Sequence, residues 1–485
     1  MRMPSNAGPF HIIGIGGIGM SAIAEILMEL GYSVQGSDGK ESANVKRLRG
    51  KGLRVFIGHA GVNLIGAQYV VISSAIKPDN PELVEARRRR IPVLKRADML
   101  AELMRIRNTV SVTGTHGKTT TTSLIAHVFE QCGADPTVIT GGIINSWGSN
   151  ARLGKGDWMI VEADESDATF IRIPTQMGVI TNIDPEHLDY FGTVENMEAA
   201  YRTFYTSIPF YGVAVTCVDH PVVRRMLTEA ANDISCKIVT YGVADHEGFK
   251  TDIKIVHIRP EGAGSLFDIE IGPRLKGGAR TVRNMYMPVP GDHNVLNAAA
   301  AFAIASEAAI PDEDILPALA SFSGVKRRFT ATGTANGIAF YDDYAHHPVE
   351  VSAVLKAARA TTQGQVIGIF QPHRYSRVSS LFEDFCNAFK DADVVIVTPI
   401  YSAGEKPIEG IDHHTVAEGI RKAGHANVHV VDKEDDLVPL VGSMAHPGDL
   451  VIGLGAGTIT DWSYALPDLF LADGPKLKVA AGGAH

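Results

Sequence analysis

The segment Val112-Thr-Gly-Thr-His-Gly-Lys-Thr-Thr120 follows a short β-branched run at 109–113 and precedes a segment that favours a helix. In a glycine-rich loop of this kind, backbone N–H groups cradle phosphates, a lysine reaches the transferred phosphoryl group and a threonine hydroxyl can ligate Mg²⁺. The loop is two residues shorter than the common G-x-x-x-x-G-K-[ST] pattern, but it has the strand and helix that the mechanism requires. It predicts an ATP site made of Gly114, Thr115, His116, Gly117, Lys118, Thr119 and Thr120.

Short apolar runs alternate with helical patterns on both sides of this loop. Such runs predict parallel strands covered by helices on both faces; they lie at 10–15, 69–73, 109–113, 158–162, 178–181, 365–370, 394–398 and 449–453. We therefore expect an α/β chain with three domains. These are a Rossmann-like N-terminal domain at 1–108, a central P-loop ATPase domain with a parallel sheet at 109–325, and a Rossmann-like C-terminal domain at 326–485. Within the second, 252–289 alternates in polarity and predicts an antiparallel insertion or edge hairpin.

Composition limits the possible partners. The length of 485 residues fits about three domains at roughly 150 residues each. The net charge of −9 argues against nucleic acid as the main partner. No uninterrupted apolar stretch approaches the length of a membrane span. The four cysteines are scattered and form no CxxC pair, which favours reduced thiols in a cytoplasmic protein.

The basic run at 87–90 does not change that conclusion. It follows Glu82 and Glu85, so acids lie three to five residues upstream on a predicted helix. This spacing favours a solvated helix face rather than a nucleic-acid site.

A second glycine-rich loop, Gly14-Ile-Gly-Gly-Ile-Gly19, follows the first predicted strand and opens a helix. In this pattern the middle glycine lets the backbone approach a pyrophosphate and the last lets the helix pack close to the strand. Asp38 stands 19 residues after Gly19, at the end of the second predicted strand. The loop predicts a nucleotide-type ligand without identifying it, and a purely structural turn is the alternative.

Two acidic segments follow predicted strands. Glu162-Ala-Asp-Glu-Ser-Asp167 closes one run, and Thr181-Asn-Ile-Asp-Pro-Glu-His-Leu-Asp189 follows another. Carboxylates at the C-terminal ends of parallel strands face the ligand crevice and suit Mg²⁺ that bridges phosphate oxygens. The alternatives are an exposed acidic turn and a structural histidine.

Four further segments are ambiguous when taken alone: Asp292-His-Asn-Val-Leu-Asn297, Lys326-Arg-Arg-Phe329, Tyr341-Asp-Asp-Tyr-Ala-His-His-Pro348 and Gln371-Pro-His-Arg-Tyr-Ser-Arg377. The amides could be helix caps and the arginines could clamp phosphate. The two arginines of the last segment can fork a carboxylate, whereas a polar loop capping a sheet is the alternative.

Together these motifs resemble the Mur ligase family of peptidoglycan synthesis, over nearly the whole chain. Segments 341–348 and 371–377, with 162–167, are most similar to the members that attach L-alanine to UDP-N-acetylmuramate. Relatives that attach a recycled tripeptide share the phosphate loop and the Tyr-Asp-Asp-Tyr segment but lack segment 371–377, so they are the second interpretation. The resemblance implies ligation through an acyl phosphate, driven by ATP with two Mg²⁺ ions. We expect a monomer or a homodimer, a choice that the sequence leaves open.

The resemblance also implies individual roles. Lys118 would contact the β- and γ-phosphates, Thr119 and Glu165 would hold one Mg²⁺, and His187 the second. The catalytic set would be Lys118, Glu165, His187 and Arg328. Further ATP contacts would come from Asn294, Asn297, Arg328 and Asp343. The UDP-sugar would bind at Gly14, Gly16, Gly17, Gly19, Asp38, Ser73 and Ser74, and L-alanine at Tyr344, His346, Arg374 and Arg377.

Two positions depart from the family pattern. Several relatives support the second metal with a carbamylated lysine, but 182–207 contains no lysine, and Glu198 lies in the corresponding region. Ala345 replaces a usual glycine, which matters only if that position needs a positive φ. Two other classes stay open: a nucleotide-sensing protein without ligase chemistry, and a dinucleotide-dependent oxidoreductase supported only by the first glycine loop.

Overall fold

The computed structural model describes residues 7–105, 107–166 and 168–473. Over these residues the strands form three sheets of five, ten and six strands. The first sheet is parallel throughout, in the order β3-β2-β1-β4-β5, so the strand order reverses beside β1. Its elements are β1 Phe10–Ile13, α1 Ile18–Glu29, β2 Val34–Asp38, α2 Ala43–Gly50, β3 Arg54–Ile57, β4 Tyr69–Ile72, α3 Pro81–Arg88, β5 Val93–Lys95 and α4 Arg96–Met104.

The middle sheet contains the phosphate loop. Its elements are β6 Asn108–Thr113, α5 Lys118–Gln131, β7 Thr137–Ile144, β8 Ser149–Arg152, β9 Trp158–Glu162, β10 Met177–Ile180, α6 Leu188–Phe191, α7 Val194–Ser207, β11 Val213–Cys217, α8 Pro221–Glu229, β12 Lys237–Gly242, β13 Ile253–Glu261, β14 Gly264–Ile271, β15 Arg280–Met287, α9 Asp292–Glu307 and α10 Asp312–Ala320. The order is β15-β14-β13-β12-β11-β10-β6-β9-β7-β8. The chain reverses direction across the sheet between β6 and β10, and such a switch point opens a ligand crevice at the strand C-termini.

The C-terminal sheet has the order β16-β17-β21-β18-β19-β20 and is parallel except for the edge pair β16–β17. Its elements are β16 Thr330–Ala335, β17 Ile338–Asp343, α11 Pro348–Thr361, β18 Val366–Phe370, α12 Tyr375–Ser380, α13 Phe382–Asn387, β19 Val394–Val397, α14 His413–Lys422, β20 Val428–Val430, α15 Leu437–Met444, β21 Leu450–Leu454 and α16 Ile459–Asp473. The predicted α/β class with three mostly parallel sheets is confirmed.

The N-terminal sheet and most of the middle sheet belong to one compact unit, and residues 326–473 belong to a second, together with 259–265 and 288–293. In the first unit, helix α1 lies against β7 and β8. The side-chain amide of Asn150 donates to the Ile18 carbonyl at 2.9 Å, and Arg47 donates to the Asn150 side-chain oxygen at 3.1 Å. One buried apolar cluster runs through both domains, from Ile23 of α1 to Ile139 of β7.

Every predicted strand is present, with ends shifted by at most two residues, and 252–289 supplies β13, β14 and β15 at the edge of the middle sheet. No helix in the described ranges is both long enough and apolar enough to cross a bilayer. Three of the cysteines are buried and Cys132 is half-buried.

The acids before the basic run behave differently from each other. Glu85 accepts hydrogen bonds from Arg88 at 2.7 Å and Arg89 at 2.5 Å, as expected of a solvated helix face. Glu82 is instead fully buried beneath the sheet, where Ser37 and Asn63 each donate to its carboxylate at 2.5 Å. Glu82 lies in the first turn of α3, where its carboxylate reaches Ser37 and Asn63, so the surface interpretation was wrong for Glu82.

Candidate active site

The phosphate loop lies at the switch point of the middle sheet, between the end of β6 and the start of α5. Gly114 has φ +129°, and a Cβ there would lie 2.1 Å from the Thr181 hydroxyl. Gly117 has φ +82°, and a Cβ there would lie 2.8 Å from the Asn297 side-chain oxygen. Both positions therefore require glycine for backbone conformation and for space.

The segment after β10 holds the loop in shape. The backbone N–H of His116 donates to the Asn182 side-chain oxygen at 2.8 Å, and the Thr181 hydroxyl donates to the His116 carbonyl at 2.6 Å. The Thr115 hydroxyl donates to the Asp184 carbonyl at 3.1 Å and accepts from the Asp184 N–H at 2.8 Å. The two predicted motifs are thus one structural unit.

The ammonium group of Lys118 lies inside this unit. Its Nζ donates to the carbonyls of Gly114 at 2.6 Å and Thr115 at 2.9 Å, and to Glu165 Oε1 at 2.7 Å. Burial alone would lower the pKa of Lys118, but the surrounding carboxylates, Glu165 first, outweigh it and raise that pKa. Burial raises the pKa of Glu165 to about 8, although the Lys118 charge opposes the rise.

A candidate cation site adjoins Lys118. One ligand atom from each of Glu165, Glu186 and His187 lies within 4.8 Å of the others, with His187 Nε2 3.6 Å from Glu165 Oε1. Within the described ranges, Glu165 Oε2 is buried and has no hydrogen-bond partner. A buried carboxylate oxygen without a partner is costly unless a cation compensates it. The two carboxylates supply the oxygen ligands that Mg²⁺ prefers, and His187 lies beside them.

Thr119, which was expected to share a Mg²⁺ ion with Glu165, contacts a neighbouring carboxylate. Its hydroxyl donates to Glu162 Oε1 at 3.0 Å, while the other oxygen of Glu162 accepts from the Thr140 hydroxyl at 3.1 Å and the Gly141 N–H at 2.5 Å. Glu162 and Glu186 both lie within the quoted acidic segments, but spacing alone did not single them out.

Two other expectations in the middle domain concern buried amides and Glu198. Asn294 and Asn297 are buried on α9, where Asn297 accepts from the Thr121 hydroxyl at 3.0 Å. This contact places both amides beside the phosphate-loop helix.

Glu198 pairs with Arg225 at 2.5 Å. Asp167 and the side chain of Asp189 lie outside the described part of the chain.

The glycines of the N-terminal loop pack closely against neighbouring side chains, which the motif alone did not predict. The Gly16 N–H donates to Asp38 Oδ2 at 2.9 Å, and a Cβ at Gly16 would lie 2.8 Å from the Ser42 hydroxyl. A Cβ at Gly19 would lie 2.9 Å from Arg96 Nη1. Glycine is thus required at Gly16 by the close approach of Asp38 and Ser42, whereas at Gly19 the end of the flexible Arg96 side chain can move aside.

A cavity of about 200 Å³ connects the N-terminal loop with the acidic strand end. Its lining includes Gly19, Arg96, Glu162 and Asp164. Arg96 forms an ion pair with Asp164 at 3.3 Å, so a paired positive and negative charge borders this cavity. Gly14 has a positive φ of +75°, Gly17 is the N-cap of α1, and Ser73 and Ser74 directly follow β4 at the C-terminal edge of the same sheet.

In the C-terminal unit, Asp343 organises the loop after β17. It is buried and accepts from the backbone N–H groups of Phe329 and Ala345, each at 2.7 Å. Burial raises the pKa of Asp343 to about 6, against the effect of the Arg328 charge. The Arg328 guanidinium lies 5.2 Å from the ring centre of Tyr344. Ala345 is not among the residues with positive φ, so glycine is not required there.

The predicted amino-acid site is assembled around His373. Arg377 Nη1 donates to His373 Nδ1 at 3.2 Å, and the His346 ring lies 5.8 Å from the His373 ring. His373 also stacks on Tyr401 with ring centres 5.5 Å apart, and burial lowers its pKa to about 3. Tyr344 joins the group through its ring contact with His346 at 5.1 Å. His373 and Tyr401 were not among the predicted site residues.

Arg374 precedes α12 and has a positive φ of +67°. Its backbone N–H donates to the Tyr401 carbonyl at 2.9 Å. This bond and the unusual backbone conformation fix the start of the helix that carries Arg377, so the two arginines of segment 371–377 lie at one end of the C-terminal sheet.

Models of three Mur ligase domains match successive parts of the chain. The Mur ligase family catalytic domain matches residues 9–108, the Mur ligase middle domain 112–305, and the Mur ligase glutamate ligase domain 327–457.

Full-length relatives show the same similarity. The UDP-N-acetylmuramate–L-alanine ligase of Brucella anthropi is 54% identical over 98% of this chain and all of its own length. That of Methylobacterium nodulans is 52% identical with the same coverage.

Solved structures agree with this similarity. The crystal structure of the UDP-N-acetylmuramate-alanine ligase of Thermotoga maritima is 28% identical, with a TM-score of 0.79 over 96% of this chain and 99% of that one. A murein peptide ligase from Psychrobacter arcticus, 21% identical with a TM-score of 0.68 over 95% and 98%, shares the fold. The chain belongs to the Mur ligase family.

Proposed function

We propose that this chain joins L-alanine to UDP-N-acetylmuramate with cleavage of ATP, a step in peptidoglycan precursor synthesis. The observation that carries the proposal is the identity of 52–54% to ligases of that name over 98% of the chain. The lactyl carboxylate attacks the γ-phosphorus and displaces ADP, which gives an acyl phosphate. The alanine amine then attacks the acyl carbon, phosphate leaves, and the amine loses a proton.

ATP binding falls to the phosphate loop. The backbone N–H groups of 114–119 at the start of α5 offer the positive end of a helix to the phosphates. The Lys118 ammonium group donates three hydrogen bonds, two to loop carbonyls and one to Glu165. It contacts the β- and γ-phosphates by exchanging the carbonyls of Gly114 and Thr115 for phosphate oxygens, which keeps its ion pair with Glu165. Asn294 and Asn297 line the adenine side, and Arg328 and Asp343 contact ATP from the C-terminal domain.

Two Mg²⁺ ions would complete the ATP site. Thr119 and Glu165 were expected to share one ion, with His187 at the second. The contacts described above favour a different grouping, in which Glu165, Glu186 and His187 would hold one ion and Thr119 with Glu162 the other. Mg²⁺ at these residues would supply positive charge against the transferred phosphoryl group. The residues themselves position the reactants, which accounts for most of the catalysis expected of phosphoryl transfer.

The other substrates bind in the outer domains. The UDP-sugar occupies the loop at Gly14, Gly16, Gly17 and Gly19, with Asp38, Ser73 and Ser74 at the same sheet edge. L-Alanine is held by its carboxylate at Arg374 and Arg377, beside Tyr344 and His346. The domains are divided at 1–108, 109–325 and 326–485.

Phosphate release tests the proposal. The purified protein with ATP, Mg²⁺ and UDP-N-acetylmuramate should release phosphate only when L-alanine is added, with an amide product by mass spectrometry. Release only with the recycled tripeptide would assign the chain to the relatives that attach that peptide, and no release with either would refute the ligase function.

Alanine substitutions at two lysines, one in the phosphate loop and one on the surface, test the ATP site. Lys118→Ala should abolish phosphate release while UDP-N-acetylmuramate still binds, because the lysine is proposed to contact only ATP. The exposed Lys155→Ala serves as the matched control in the same domain and should behave as wild type. Loss of UDP-sugar binding in Lys118→Ala would contradict the division of roles between domains.

A further inference from the structure

Three potential metal ligands meet on the surface of the C-terminal domain. His413 and His414 begin α14, and Asp432 follows β20. Asp432 Oδ1 lies 2.7 Å from His413 Nε2 and 3.3 Å from His414 Nε2. One ligand atom from each residue lies within 4.8 Å of the others, although 18 residues separate His414 from Asp432.

Both segments that carry these residues are fixed by contacts of their own. The Asp412 side chain caps α14 by accepting from the Thr415 N–H at 2.7 Å and the Thr415 hydroxyl at 2.8 Å. On the other side, the Val431 N–H donates to the Val397 carbonyl at 3.1 Å, which holds the chain beside Asp432. The ligand positions are thus largely preorganised, so little ordering is needed when an ion binds.

We propose that His413, His414 and Asp432 form a binding site for a divalent transition metal, for which Zn²⁺ is the test ion. Two imidazole nitrogens and one carboxylate oxygen are a donor set that zinc accepts, whereas Mg²⁺ prefers oxygen ligands. The side chains of His414 and Asp432 are 59% and 64% exposed, so an ion can enter and water can complete its coordination.

This site differs chemically from the one beside Lys118. The cluster beside Lys118 has two carboxylates and one imidazole, whereas the cluster at His413, His414 and Asp432 has two imidazoles and one carboxylate. The metal would join the start of α14 to the end of β20 and would take no part in the ligase reaction. The inference is therefore independent of the proposed function.

Zinc titration of the full-length protein tests the inference. Binding is measured by competition with a chromophoric chelator, with excess Mg²⁺ to occupy the oxygen-rich cluster. Wild type is compared with His414→Asn and Asp432→Asn. His446→Asn is the control, since this exposed histidine forms a longer ion pair, 3.8 Å from Asp449, and belongs to no three-residue ligand cluster in the described part of the chain.

Wild type and His446→Asn should bind one tight zinc equivalent. In His414→Asn and Asp432→Asn that affinity should fall by about tenfold or more, because losing a ligand costs at least as much as losing a residue that orients one. Zinc should also raise the melting temperature of wild type but not of these two variants. The proposal is overturned if wild type binds no zinc tightly, or if His414→Asn and Asp432→Asn bind zinc as tightly as wild type does. It is also overturned if the tightly bound zinc ion is lost only in His187→Ala.

Discussion

Gly117→Ala is the sharpest test of how the phosphate loop is built. A left-handed backbone conformation costs a non-glycine residue about 1–2 kcal/mol. The new Cβ would also lie 2.8 Å from the Asn297 side-chain oxygen. Moving that amide breaks its buried hydrogen bond with the Thr121 hydroxyl, which adds roughly 1 kcal/mol. The ATP-binding loop conformation should therefore lose about 2–3 kcal/mol.

A matched control lies at the other end of the same helix. Gly133 follows α5 with φ +78°, and nothing lies within 4 Å of the Cβ that alanine would add. Gly133→Ala should thus carry the same backbone cost, about 1–2 kcal/mol, without the collision at the ATP site.

The assay is kcat/KM for ATP in phosphate release, with melting temperature measured in parallel. Because 1.4 kcal/mol corresponds to a factor of ten, Gly117→Ala should lower kcat/KM by roughly 30- to 150-fold. Gly133→Ala should lower the melting temperature while leaving kcat/KM within about twofold of wild type. Equal losses of kcat/KM in the two variants, or none in Gly117→Ala, would refute the role given to the Asn297 contact.

Three further outcomes follow from the described contacts. Burial alone would raise the pKa of Glu82, but hydrogen bonds from His11, Ser37 and Asn63 outweigh it and lower the pKa to about 2 from 4.5. This lowered pKa contributes about 3 kcal/mol to the free energy of unfolding above pH 4.5, and the contribution is lost as the pH falls towards 2. In thermal unfolding, the difference in stability between wild type and Glu82→Gln should therefore narrow over that pH range. A difference that stays constant would contradict the lowered pKa of Glu82. Arg377→Ala should raise KM for L-alanine by roughly 10- to 100-fold through loss of a charge-assisted bond, with KM for ATP unchanged; an effect confined to ATP would contradict this role. Ala345→Gly should lower stability by about 0.4–1 kcal/mol in denaturant unfolding, since alanine is unstrained there; a stabilised variant would show that the position favours glycine.

The sequence predicted the local structure well because local signals determine it. Continuous apolar runs bounded by turn residues identified β6, β9 and β21, and the glycine loops identified the starts of α1 and α5. The phosphate loop and segment 181–187 could also be placed together in principle, since both follow strands of one parallel sheet.

Side-chain pairing could not be predicted in the same way. Thr119 contacts Glu162 because the last residue of β9 and the start of α5 face each other across the sheet edge. The charge pattern predicted that Glu82 lies on a solvated face of α3, whereas its carboxylate accepts a hydrogen bond from Ser37 in the interior. Such contacts depend on how distant elements pack, which neither spacing nor composition records.

The shared packing of α1 against β7 and β8 has a consequence for dividing the protein. A chain that begins at residue 109 would lose the apolar partners of Ile139 and Ala151, both buried in the cluster that spans the two domains. Such a fragment would expose a continuous hydrophobic face and would aggregate rather than behave as an autonomous ATPase module. The compact unit that holds the N-terminal sheet and most of the middle sheet is accordingly one cooperative folding unit. The first two domains should therefore melt in one transition although each has its own sheet.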